Sequence, residues 1–150
     1  MKRIILIMMA AVMVLGFSSS AFGHCEIPCG IYDDQMRIEM IREHITTIEK
    51  SMKTIQHLQA EKDHNANQLI RWVVNKEDHA NKLQEVVSQY FMTQRISLEA
   101  DKYTQKISLL HHMLIFVMKC KQTTDLDYIE KLRKSVDQFE SLYFDKKKKK

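Results

Sequence analysis

The sequence predicts an all-α protein, an antiparallel four-helix bundle, and three observations predict it. From residue 31 to residue 150 there is neither a glycine nor a proline. Four stretches place apolar residues at alternating steps of three and four. The breaks between those stretches are short, as neighbouring antiparallel helices require. A β-sandwich or barrel needs turn residues at about every eighth to twelfth position and is excluded. Alternating βαβ units lean on glycine for caps and tight turns, and those glycines are missing too. At 150 residues, 45% hydrophobic and 28% charged, one domain is the natural count.

The bundle is expected over residues 33–145. Its first helix carries Ile38, Ile41, Ile45, Ile48, Met52 and Ile55, a narrow seam behind a cap at Asp33 or Asp34. A broader run follows Asn65: Leu69, Ile70, Val73, Val74, Ala80, Leu83, Val87, Tyr90 and Phe91. The third stripe is Ala100, Tyr103, Ile107, Leu110, Leu114 and Val117. Ile129, Leu132, Val136, Phe139 and Tyr143 make the fourth, with Thr124 or Asp125 to cap it. The breaks are expected near 57–67, 92–97 and 119–124.

Residues 1–23 read as a cleaved signal peptide rather than as part of the fold. Lys2 and Arg3 precede an apolar run, Ile4 to Phe17, and Ala21 and Gly23 are the small residues of a cleavage site. That run of about 14 residues falls short of the roughly 20 a membrane helix needs. The residue before Cys25 is His24, which sets a lipoprotein signal aside. The chain is therefore expected to be exported, to a periplasm or out of the cell, without a stable membrane anchor after processing. Of its 23 basic residues, two leave with this segment and five form the terminal run 146–150, so the body carries fewer basic than acidic residues. The lysine run reads as a solvated, disordered tail. No aromatic residues interleave it, and no nucleic-acid partner is expected.

The unusual chemistry is confined to His24-Cys25-Glu26-Ile27-Pro28-Cys29-Gly30-Ile31-Tyr32. Two thiols and an imidazole within nine residues can make a metal site, a small disulfide loop or a redox switch. Export favours a disulfide at first sight. A structural zinc site would want a second Cys/His pair at finger spacing, and none is present. Cleavage after Gly23 would leave His24 with a free α-amine. That amine, the Cys25 amide nitrogen and the thiolates of Cys25 and Cys29 can then lie in one plane, leaving the His24 imidazole as an axial donor. Planar nitrogen and sulfur donors suit Ni(II) or Cu(II). Pro28 and Gly30 bend the chain so that Cys29 can return to the plane.

The pattern His-Cys-x-x-Pro-Cys-Gly-x-Tyr at a processed N-terminus resembles the hook of the nickel superoxide dismutases. The resemblance implies one nickel ion per subunit, held by His24, Cys25 and Cys29, with a cis bond before Pro28. It implies a four-helix body assembled as a homohexamer, and superoxide as substrate. Superoxide would be converted to dioxygen and hydrogen peroxide by Ni(II)/Ni(III) cycling. Arg37-Ile38-Glu39 matches a family segment whose glutamate bonds the axial histidine, so Glu39 is the implied partner of His24. Ser88-Gln89-Tyr90-Phe91 matches a later segment, and Tyr90 would join Tyr32 where the family's tyrosines order water and restrict access. The stretch from Tyr32 to Arg37 is one residue shorter than the family pattern and lacks its second proline. Ungapped counting back from Ser88 puts Asn75 where the family has an arginine; neither Arg71 nor Lys76 is assigned to replace it.

Two other classes compete: an exported nickel or copper carrier that binds without turnover, and a structural bundle with a Cys25–Cys29 disulfide. Cys120 follows an apolar stretch and reads as a buried free thiol. His79, His111 and His112 read as surface or boundary residues of helices.

Overall fold

Side-chain caps start the first two helices. Asp33 accepts a hydrogen bond from the Met36 amide at 2.9 Å, and Asn65 accepts one from Gln68 at 3.1 Å. Each satisfies an amide that the first helical turn would leave without a partner. A computed structural model describes residues 30–62 and 65–145. Helix α1 spans Asp34–Ala60 and α2 spans Ala66–Glu85. The latter continues without a break into a π-helical segment, Val86–Arg95. Helices α3, Tyr103–Gln122, and α4, Asp127–Phe144, complete an all-α bundle, with no strand among the described residues. The chain divides between Ile31 and Tyr32, and the bundle is the second unit, Tyr32–Lys150. No helix among the described residues is long and apolar enough to cross a membrane.

Cross-helix bonds fix the directions. Along α1, Asp34, Arg42, Glu49 and Gln56 meet Tyr143, Asp137, Arg133 and Thr124 in turn, so α4 runs antiparallel to it. Asp34, His44 and Ser51 likewise meet Tyr90, His79 and Asn75, which makes α2 antiparallel to α1.

All six residues of the first stripe are buried, and so are Ile129, Leu132, Val136 and Phe139 of the fourth. They meet Leu83, Val87, Phe91, Leu110, Met113 and Val117 in one continuous core. Cys120 belongs to that core as a free thiol, and burial pushes its pKa up to about 11.

The second stripe is corrected by the structure. Ile70, Val73 and Val74 are exposed, at 62%, 38% and 51%, and only the stripe from Ala80 onward is core. Near its start α2 turns apolar residues outward, and no other helix among the described residues covers them. The last cap also differs from expectation. Asp125 accepts from the Asp127 amide at 3.0 Å, but Leu126 holds the cap position without a side-chain bond.

Candidate metal centre

The end of the bundle that follows the Cys-rich motif is organised around Asp34. This residue sits in the first turn of α1, and its side chain keeps only 9% of its exposure. One oxygen accepts from Arg95 Nε at 2.7 Å and from the Tyr90 hydroxyl at 2.8 Å. The other accepts from Arg95 Nη2 and the Tyr143 hydroxyl, both at 2.9 Å. Residues 56, 61 and 109 positions away thus converge on one carboxylate.

The winding of the second helix makes that convergence possible. Tyr90 and Arg95 are five residues apart, and five α-helical steps of about 100° would leave them about 140° apart around the axis. Between Val86 and Arg95 the bonds reach back five residues instead: the Ile96 amide donates to the Phe91 carbonyl at 3.0 Å. The Thr93 hydroxyl and Gln94 amide cap carbonyls five residues back as well, at Ser88 and Gln89. A five-residue turn stacks Arg95 over Tyr90 on the side facing Asp34.

Electrostatics follow from the contacts. Burial alone would raise the Asp34 carboxyl, but the bonds from Arg95, Tyr90 and Tyr143 outweigh it and hold the group below its usual range. Burial, then the Asp34 carboxylate, raise both tyrosines, Tyr143 to about 12. The hydrogen bond to Asp34 raises Arg95 further above its ordinary value.

Tyr32, the last residue of the motif, rests on this cluster. The Arg95 guanidinium lies 4.3 Å from its ring centroid, and the Tyr90 ring meets it edge-on at 6.0 Å. Tyr32 keeps 42% of its surface, whereas Tyr90 keeps 3%. Arg37 adds a second cation, 4.9 Å from the Tyr90 centroid, and its buried Nε has no hydrogen-bond partner. Beneath lie Phe91, Phe139 and Tyr143, with centroids 5.1 to 5.7 Å apart.

Tyr32 and Tyr90 are therefore brought together, while Glu39 is not joined to them. Glu39 lies on the exposed face of α1 and accepts from Gln35 at 3.1 Å. Gly30 adopts φ +77°, the left-handed conformation glycine takes freely. His24, Cys25, Pro28 and Cys29 lie outside the described residues, as do the segment 1–23 and the tail 146–150. Asn75 donates to Ser51 Oγ at 3.0 Å. Lys76 bonds the Cys120 and Lys121 carbonyls at the end of α3, so it supplies no cation to the Tyr32 cluster. Arg71 lines a separate surface pocket with Gln68, Trp72 and Asn75.

Sequence reasoning missed Asp34, Arg95 and Tyr143 as a group. Asp34 was expected at most to cap α1, a role Asp33 fills.

The donor chemistry bears on a metal directly. Among the described residues no three His, Cys, Asp or Glu side chains gather to hold an ion. The only described thiol, Cys120, is buried and raised in pKa. The imidazole and two thiols of the motif remain, and their soft nitrogen and sulfur set fits nickel. A family model, nickel-containing superoxide dismutase, matches residues 19–147 and so takes in both the motif and the bundle. The chain belongs to that family. It is an oxidoreductase that acts on superoxide, and its cofactor is nickel. No curated protein and no solved structure matches the chain. Within this dismutase, the Asp34 cluster holds in place the one tyrosine of the motif.

Proposed function

We propose that nickel is bound at His24, Cys25 and Cys29, one ion per subunit, with the His24 α-amine and the Cys25 amide nitrogen completing the donors. Bound nickel supplies the electron exchange, alternating between Ni(II) and Ni(III) as one superoxide is oxidised to dioxygen and the next reduced to peroxide. The observation that carries this reading is the family match across 19–147, which contains those donors. Glu39 orients the His24 imidazole, a role supported by a carboxylate exposed on α1.

The two tyrosines take different parts. Tyr90 holds its proton on an oxygen already donating to Asp34 and acts as a positioning residue beneath Tyr32. Tyr32, half-exposed as a residue, has no hydrogen bond among the described residues, and its hydroxyl orders the water that delivers protons to peroxide. Arg37 places positive charge against the Tyr90 ring, which favours approach of an anion.

Residues 1–23 direct export and leave His24 as the new N-terminus. The subunits assemble as a homohexamer, a reading supported by the exposed Ile70, Val73 and Val74 on α2. Exported protein should begin at His24, carry about one nickel per chain and remove superoxide in pulse radiolysis. The Cys25→Ser/Cys29→Ser variant should lose both nickel and activity. An N-terminus at Phe22, or full activity in that variant, overturns the assignment.

A further inference from the structure

Halfway along the α1–α2 seam, His44 and His79 bring their Nδ1 atoms to 3.1 Å, with ring centroids 5.1 Å apart and planes at 73°. The residues are 35 positions apart, so only the packing of the helices unites them. We propose that His44 and His79 form a second metal site, a two-imidazole clip for a divalent late transition-metal ion that ties α1 to α2. Neither residue belongs to the nickel motif, and the reading does not depend on how that motif binds.

The spacing is what shared coordination demands. Two nitrogens about 2.0–2.1 Å from one ion lie about 2.9–3.4 Å apart as their angle opens from square to tetrahedral. The rings are held in position before any ion arrives. Each is half-buried and already in contact with the other, so part of its side-chain freedom is lost before any ion binds. Both sit partly open to solvent, which leaves room for water to fill the other coordination positions.

Protonation also favours a ligand. Burial, the neighbouring His79 and the Lys82 ammonium lower the His44 pKa, with only Glu43 opposing them. A neutral imidazole is the form that binds a metal. Without an ion the two rings share a single N–H···N bond; with one, both lone pairs are used. Imidazole pairs suit Zn(II), Ni(II) and Cu(II), and no third protein ligand lies near among the described residues.

Zn(II) is the simplest probe, added to nickel-loaded full-length protein while its nickel content is monitored. An ion bridging two helices binds the folded state alone and raises the unfolding midpoint, by roughly 5 °C at saturation. Zinc on exposed side chains such as His111 or His112 leaves that midpoint unchanged. His44→Gln and His79→Gln should each abolish the zinc-dependent rise. In the unsubstituted protein, zinc should shift the Nδ1 resonances of both rings together in nitrogen-15 spectra. An equal rise in wild type and variants, no rise in wild type, or unmoved imidazole resonances overturns the site.

Discussion

Two cations near opposite ends of the bundle, Arg95 and Lys76, are satisfied in opposite ways. Arg95 meets a carboxylate, Asp34, shared with two tyrosine hydroxyls. Lys76, 6% exposed, donates to two main-chain carbonyls of the last turn of α3, with Glu77 3.5 Å away. A carbonyl does not titrate, and a lysine there offsets the negative end of the helix dipole. The carboxylate does titrate, and it ties α1 to the π-helical segment and to α4. The end that follows the nickel motif in the chain is thus held by a polar knot that responds to pH, and the other end by a cap on carbonyls that do not titrate.

Removing the anchor should show the largest effect. Asp34→Ala leaves a half-buried guanidinium and two hydroxyls without their acceptor, at a cost of about 3 kcal/mol in urea unfolding. The same carboxylate should govern the acid limb of the stability curve. Its folded pKa lies below the ordinary value, so its contribution is complete above about pH 4 and fades as pH falls through the depressed value. Asp34→Asn should remove that part of the acid limb. Lys76→Met should cost less, about 2 kcal/mol, by leaving the Cys120 and Lys121 carbonyls bare. Its acid limb should match wild type; a changed limb would erase the distinction between the two ends. The smallest effect belongs to Tyr90→Phe, about 1 kcal/mol for one of four bonds to Asp34. Nickel content should be unchanged there, and a loss of nickel would make Tyr90 more than a support for Tyr32.

What could be read from sequence tracks how local each feature is. The α1 stripe is legible because six residues at helical spacing face a single core, and all six are buried. Asp33 and Asn65 are legible because a cap is decided within three residues. Ile70, Val73 and Val74 misled because spacing shows that a face is apolar but not that this chain covers it. The motif was legible because its donors lie within six residues of one another. The Asp34 cluster was not, since Arg95 and Tyr143 sit 61 and 109 positions from it. Nor does any residue type announce the π-helical winding that aims Arg95. The His44–His79 pair escaped for the same reason as the cluster.

The ten residues from Val86 to Arg95 make chain length a part of the site. A π segment spends more residues on each turn than the surrounding α-helix does. Wound as an α-helix at its full length, the segment would keep every side chain that touches Asp34 in the sequence. Its five α-helical steps would nevertheless leave Arg95 about 140° from Tyr90 around the axis. The seat of Tyr32 would then be lost through a change of phase, with none of its chemical groups removed.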